Sequence, residues 1–400
     1  MPSSGASRAR ELAQQVGQVV AVEPLRLGGR GLPHGAVLAV AMSGGVDSSV
    51  AAALAAASGV DTVGVTMRLW GTDEMERGEG GCCSLDAVED ARRVCSRLGI
   101  AHYVLNMAEH FRSSVVGDFF RQYAAGRTPN PCIRCNQTVK FSELWRRVGA
   151  VGATHIASGH YAQVRESASG WCSLHRGVDA RKDQSYTLYR SSQELLARLI
   201  LPLGELEKPT VRALAEALEL GVAHKADSQE LCFVGGGDHR DVLERELAGE
   251  FQPGPITDLA GAEVGRHRGL PFYTVGQRQG LGLQVRQADT EPHYVVRLDL
   301  ARNTLVVGPW RTLLRGQCQV DDCLFLDGLS PARERSGWAQ LRAHGQPVAA
   351  TWQDAGPGRA AVHFGQPQAA IAPGQSLVLY DGDRVLAGGE IAAVEEPEFA

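Results

Sequence analysis

Val37-Leu38-Ala39-Val40-Ala41-Met42-Ser43-Gly44-Gly45-Val46-Asp47-Ser48-Ser49 joins a short apolar run to an Ala-rich segment through a pair of glycines. The run Val37–Ala41 has the unbroken apolarity of a strand covered on both faces of a parallel sheet, and the Ala-rich segment from Val50 favours helix. Strand, glycine turn and helix N-terminus in that order make an anion site, because backbone N–H groups converge there and the helix dipole favours negative charge. Gly44 and Gly45 allow a pyrophosphate close to the backbone, Ser43 and Ser48 offer hydroxyl donors, and Asp47 suits the magnesium ion that polyphosphates bring. Ala41, Met42 and Val46 complete the loop as candidate nucleotide contacts. Without a Gly-Lys-Ser/Thr ending the loop is not a Walker A motif, and the plainer alternative is a glycine turn capping an ordinary helix.

Outward from this loop, apolar runs alternate with amphipathic patterns: a helix from Ser48, Thr62–Thr66, a helix from Leu85, and His102–Leu105. That alternation predicts an α/β domain with a doubly wound parallel sheet over residues 36–238. From His239 the texture turns to short strand-like runs, Tyr273–Val275, Tyr294–Val296 and Thr304–Val307, punctuated by Gly, Pro and Asp. These predict a small central β domain over 239–308 and a C-terminal β-barrel over 309–400. Residues 1–35 are expected to be a poorly ordered extension, and Glu74–Gly81 a mobile loop.

Four hundred residues with 44% hydrophobic content are enough for two or three cores, which excludes disorder of the whole chain. The longest apolar stretch, Val50 to Met67, is broken by Ser58, Gly59 and Asp61, so no membrane span is expected. A net charge of −5 means that any nucleic-acid contact relies on local basic patches. Nine unevenly spaced cysteines without a secretion signal point to a reducing, cytoplasmic compartment rather than a disulfide framework.

Two cysteine segments stand out. Arg127-Thr128-Pro129-Asn130-Pro131-Cys132-Ile133-Arg134-Cys135-Asn136 reads as a proline-bracketed loop presenting two thiols, and Asp227-Ser228-Gln229-Glu230-Leu231-Cys232-Phe233 presents a third. With the Ser-Gly-Gly-Val-Asp-Ser loop, which is similar to the PP-loop of enzymes that split ATP between its α and β phosphates, both segments resemble the bacterial tRNA-specific 2-thiouridylase family. The resemblance continues through Gly159-His160-Tyr161-Ala162, Lys182-Asp183-Gln184-Ser185-Tyr186, Tyr273-Thr274-Val275-Gly276-Gln277-Arg278, Gly280-Leu281-Gly282 and Pro373-Gly374-Gln375-Ser376.

That resemblance implies an ATP-dependent enzyme that thiolates the wobble uridine of tRNA, with Cys135 as the sulfur-bearing nucleophile and Cys232 as its resolving partner. It also implies a protein that donates persulfide sulfur. Two thiols suit the chemistry, since a persulfide attacks an adenylated carbon and a second thiol releases the sulfur by closing a disulfide. A thiolate is the reactive form, and Arg134 is a candidate positive neighbour. Cys132 stands where relatives often carry an acidic residue, which leaves a second route open: Cys132, Cys135 and Cys232 as ligands of a [4Fe–4S] cluster, or of zinc. Cys82, Cys83, Cys95, Cys172, Cys318 and Cys323 carry no such pattern, and the last four read as small core residues.

Met67, ending a strand at the same sheet edge as the loop, is a candidate adenine contact or simply core, and Gly159, which follows the apolar run His155–Ala157 at another strand end, suits close backbone approach to ATP. By resemblance Asn130, Pro131, Cys132, His160, Lys182, Asp183, Gln184, Arg342 and Gln375 contact tRNA, whose target base must leave its stack. Ala343 replaces the tyrosine usual in relatives. Arg266, His267, Arg268 and Arg278 offer a local basic patch, with a solvated charged loop as the alternative.

Overall fold

The computed structural model describes residues 3–20, 32–70, 84–226, 232–234, 239–247, 249, 251–283, 291–328 and 334–394. Glu74–Gly81, Cys82, Cys83 and Asp227–Leu231 therefore lie outside the described residues. The chain divides into two compact units, the first comprising Met1–Val115, Cys132–Gly236 and Asp383–Val385, the second Val116–Pro131, Gly237–Gly382 and Leu386–Ala400. No described helix is long and apolar enough to cross a membrane.

The first unit is built on the parallel sheet that the alternating runs predict. Its strands β1 (Val37–Met42), β2 (Asp61–Arg68), β3 (Ala101–Asn106), β4 (His155–Ala157) and β7 (Leu199–Ile200) lie in the order β3-β2-β1-β4-β7. β1 is central, with Ala39 in register with Val63 of β2 and with Ile156 of β4. Leu38, Ala39 and Val40 are wholly buried, as a strand covered on both faces requires. Helix α2 (Val46–Ala57) follows the loop, and Ala51, Ala52, Ala53 and Ala55 are also wholly buried. Small side chains there let the helix lie close to its neighbours with little entropy lost on ordering. Helix α3 (Leu85–Leu98) is capped by Ser84, whose side chain accepts from Ala87 N, and stops at Gly99 in the left-handed region, φ 73°.

The N-terminal expectation is corrected. Ser3–Gly17 forms helix α1, and Leu12 and Val16 are buried in the same core as α2. The leucine and valine four residues apart supply one apolar helical face, which the rest of the segment, rich in Ser, Arg and Gly, does not advertise. The unit also holds an antiparallel hairpin of β5 (Ala162–Glu166) and β6 (Cys172–Arg176), with Arg384 paired to His175.

In the second unit, β8 (Gly254–Thr257), β9 (Glu263–His267), β10 (His293–Asp299) and β11 (Thr304–Pro309) form a sheet in the order β10-β11-β8-β9 around Ile256, Val295, Leu305 and Val307. Six further strands, β12 (Arg315–Phe325), β13 (Arg335–Gln340), β14 (Val348–Asp354), β15 (Ala360–Gln368), β16 (Ser376–Asp381) and β17 (Arg384–Val394), close into an antiparallel barrel in the order β12-β15-β14-β13-β16-β17, with β17 from Leu386 onward pairing back to β12. Trp352, Phe364, Leu377, Leu379 and Ile391 fill it. Closure satisfies both edges of the sheet. Tyr273–Val275 is not a strand: it follows the 3-10 turn Leu270–Phe272, and Thr274 N donates to the Gln277 side chain while Gly276 turns the chain at φ 88°. Apolar content there serves a packed turn rather than a ladder.

Candidate active site

The loop after β1 is held from both sides by backbone. Gly44 has φ 69°, and a Cβ built on it would lie 2.2 Å from Ala87 O and 2.7 Å from Ala87 Cα, in the first turn of α3. A Cβ on Gly159, two residues beyond β4, would meet Asp47 C at 2.7 Å and Ser48 N at 2.8 Å. Gly45 is the N-cap of α2 and offers no side-chain cap, so the first N–H groups of that helix are not taken up by the N-cap side chain. Ser48 Oγ ties the loop together, accepting from Ser43 N at 3.1 Å, lying 3.2 Å from Ser43 Oγ and donating to Gly45 O. Ala41 and Met42 end β1 beside Val65 and Thr66 of β2, and buried Met67 follows on β2. The whole nucleotide set named from the sequence therefore converges at the C-terminal edge of the sheet, where open α/β folds bind ligands.

Two lysines that sequence reasoning did not single out complete this edge. Lys208 Nζ lies 2.7 Å from Asp47 Oδ1, and Tyr161 OH donates to the same oxygen at 2.8 Å. Lys208 is only 7% exposed, while the Asp47 side chain is 34% exposed. Lys225 Nζ donates to Gly44 O at 3.1 Å and pairs with Asp90 of α3 at 2.8 Å. Lys208 begins the helix Lys208–Ala217, with Pro209 in its first turn, and its backbone N donates to Asp179 Oδ2. Neither lysine belongs to a short motif. Only the tertiary fold carries Lys208, 161 residues beyond Asp47, and Lys225, 181 beyond Gly44, onto the loop.

The thiol segments are anchored along the same edge by aromatic contacts. Pro131–Cys135 is a short helix, not the loop expected, because Pro131 supplies the preset φ that suits a first helical position. It runs into a π-helix, Asn136–Glu143, where Asn136 Nδ2 donates to Thr187 O and the Phe141 ring lies 5.8 Å from that of His160. Cys132 is exposed and Cys135 buried. Cys232 is half-buried, and Phe233 beside it packs on Phe111, which packs on Trp70 just after β2. Among the described residues, which include all three thiols, no three His, Cys, Asp or Glu side chains are grouped to hold a metal ion. Burial pushes the thiols of Cys95 and Cys318 up to about 12, in keeping with inert core positions.

Comparison with known proteins gives this edge its context. Residues 36–236 match the family described as tRNA methyl transferase HUP domain, 240–309 its PRC-barrel domain, and 315–391 an aminomethyltransferase beta-barrel domain. A "tRNA-specific 2-thiouridylase MnmA" of Roseiflexus castenholzii is 47% identical over 372 residues, covering 89% of this chain and 99% of that protein. Another, of Heliobacterium modesticaldum, is 48% identical over 357 residues, 88% of this chain and 91% of that protein. The chain belongs to the tRNA-specific 2-thiouridylase family. Among solved structures, a "U34-tRNA thiolase NcsA from Methanococcus maripaludis with its [4Fe-4S] cluster" aligns at 18% identity over 61% of this chain and 75% of that one, with a TM-score of 0.34.

Within this thiouridylase chain the remaining candidates divide by what they touch. Asp183 is committed to its turn: its carboxylate accepts from Arg176 Nη1 at 2.7 Å and from Gly177 N, Ser185 N and Ser185 Oγ. Gln184 Oε1 accepts from Tyr161 N, so the turn Lys182-Asp183-Gln184 is linked through Tyr161 to Asp47. His160 shares a 2.8 Å hydrogen bond between Nδ1 and Ser158 Oγ. Burial, with a smaller contribution from the Lys140 charge, pushes its imidazole down to about 3, so it is neutral at pH 7. Asn130, Pro131, Arg342 and Gln375 belong to the second unit, where Arg342 Nη2 donates to Ala370 O and Gln375 Nε2 to Thr128 O. The basic patch loses one member: His267 is buried, its ring nitrogens within hydrogen-bond distance of Asn303 O and Gly269 N. Arg266 and Arg268 are partnered by Glu263 and Glu244, which reduces the local positive field.

Proposed function

We propose that this chain is a tRNA-uridine 2-sulfurtransferase that spends ATP to replace the C2 oxygen of the wobble uridine with sulfur. The observation that carries the reading is the anion site at Gly44–Asp47, closed by the backbones of Ala87 and Gly159, in a chain aligned with thiouridylases over 89% of its length. Gly44 and Gly159 let the backbone close around the cradle, since a Cβ at either would collide with the backbone of Ala87 or of Asp47 and Ser48 and distort the loop whose N–H groups suit a polyphosphate. Ala41, Met42, Ser43, Val46, Ser48 and Met67 line the nucleotide, and Asp47 holds the magnesium ion, which offsets phosphate charge when bound.

The uracil C2 oxygen attacks the α-phosphorus of ATP, pyrophosphate leaves, and the carbon becomes electrophilic with AMP as its leaving group. A partner protein loads Cys135 as a persulfide. Its terminal sulfur attacks C2, AMP departs, and C2 is joined through two sulfurs to Cys135. The Cys232 thiolate then attacks the Cys135 sulfur, closing a Cys135–Cys232 disulfide and leaving the thione on C2, and two electrons from a cellular reductant restore the dithiol. Neutral His160, Lys182 and Gln184 contact the RNA, together with Asn130, Pro131, Cys132, Arg342 and Gln375, while Asp183 shapes the turn that presents its neighbours. The reaction belongs in the cytoplasm, where tRNA and reduced thiols coexist.

Mass spectrometry of nucleosides from tRNA incubated with the protein, ATP and a persulfide donor tests this. The wild type produces 2-thiouridine with one AMP per sulfur, and Cys135→Ser forms none. Thiolation that persists without ATP, or in Cys135→Ser, overturns the assignment.

A further inference from the structure

Asp47 is held in an asymmetric way that its sequence motif does not reveal. Lys208 Nζ and Tyr161 OH both bond to Oδ1, at 2.7 and 2.8 Å, and no described residue bonds to Oδ2. The Asp47 side chain remains 34% exposed, so Oδ2 is the oxygen left for solvent or a ligand. Lys208 is 7% exposed and its Nζ also lies 5.9 Å from the centre of the Tyr161 ring, so ammonium, phenol and carboxylate form one packed group. Each part of that group is fixed from behind. Lys208 N is bonded to Asp179, Tyr161 N to Gln184, and the Asp47 backbone lies against Gly159.

We propose that Lys208 and Tyr161 are positioning residues that grip one oxygen of Asp47 so that the other meets the magnesium ion of the bound nucleotide. The proposal rests on the nucleotide reading of the loop. A lone carboxylate beside an ATP polyphosphate adds repulsion and rotates freely. The Lys208 ammonium offsets that charge, and the two bonds to Oδ1 restrict the rotation, which aims Oδ2 outward. A single carboxylate oxygen plus phosphate oxygens and water is the ligand set that magnesium prefers. Groups that orient a ligating side chain from behind tune metal affinity, their loss commonly costing about 10–100-fold. Lys208 therefore acts through Asp47 and need not touch the nucleotide.

Manganese serves as a paramagnetic probe for magnesium. Its affinity is measured by electron paramagnetic resonance on the full chain saturated with ATP, in the absence of tRNA, for the wild type, Lys208→Met, Lys208→Arg and Tyr161→Phe. Lys208→Met weakens manganese binding to the protein–ATP complex about tenfold or more, Tyr161→Phe by a smaller factor, and Lys208→Arg recovers part of the loss. In an Asp47→Ala background, Lys208→Met has no further effect on manganese affinity, as expected of a residue acting through Asp47. Tyr161→Phe removes one hydroxyl and keeps the question answerable if Lys208→Met fails to fold. Unchanged manganese affinity in folded Tyr161→Phe and Lys208→Met overturns the proposal, as does an equal Lys208→Met effect with and without Asp47. A wild type that binds no ATP-dependent manganese instead removes the nucleotide reading, and the grip falls with it.

Discussion

Gly44→Ala tests the architecture of the loop most directly, because one methyl meets two independent obstacles. The backbone sits at φ 69°, a region that costs an L-residue about 1–2 kcal/mol. The new Cβ would also lie 2.2 Å from Ala87 O, 2.7 Å from its Cα and 2.8 Å from its carbonyl carbon. All three are backbone atoms of a capped helix, so no side-chain rotation relieves the overlap, and forced overpacking adds roughly 1–3 kcal/mol. Together these predict a loss of about 2–5 kcal/mol, lowering the melting temperature of the α/β unit by roughly 4–20 °C. The loop or α3 must retreat by about 1 Å, a displacement that at a phosphate-transfer site costs on the order of a hundredfold in rate. Gly45→Ala is the control: its φ is −99° and the nearest neighbour of its Cβ is Ser43 Oγ at 3.5 Å, so stability changes by less than about 1 kcal/mol. Calorimetry of both variants, with AMP release in the presence of tRNA, provides the readouts. Wild-type melting and AMP release by Gly44→Ala, or equal destabilisation by Gly45→Ala, would refute the reasoning.

Asp47→Ala abolishes AMP formation and also destabilises the fold, by about 2 kcal/mol, because it leaves the buried Lys208 ammonium without its carboxylate while solvent at the exposed side of the pair softens the loss; chemical denaturation measures it. His160, neutral in the fold down to about pH 3, makes stability fall as pH drops from about 6.5, since the unfolded chain takes up a proton that the folded chain refuses. The slope is at most about 1.4 kcal/mol per pH unit, and His160→Gln should flatten it between pH 4 and 6.5 in melting experiments. Cys132→Ser, at an exposed position, is expected to keep near-normal thiolation whether assayed in air or anaerobically, whereas Cys232→Ser stops after one sulfur is loaded. Loss of thiolation together with bound iron in Cys132→Ser would instead favour the cluster route.

The elements whose signals are local can be read directly from the chain. An apolar run, two glycines and an Ala-rich stretch specify β1, the loop and α2, because strand burial, positive φ and helix propensity are each set within a few residues. Likewise β10 and β11 follow from short apolar runs bounded by turn residues, whereas Tyr273–Val275, equally apolar, became a packed turn because the backbone bonds of Thr274 and Gly276 went elsewhere. The Cys135 and Cys232 segments were legible as candidates through resemblance, which recorded which residues recur but not how they are held. Tertiary structure alone decided that His267 is buried, that Asp183 is consumed by its own turn, and that α1 belongs to the core. It also placed Lys208, Lys225 and Tyr161 on the loop, across separations that leave no periodic or spaced trace. A charge pair costs nothing in local propensity at either end. Its partner is chosen only when the sheet order β2-β1-β4-β7 brings distant strand ends to one edge.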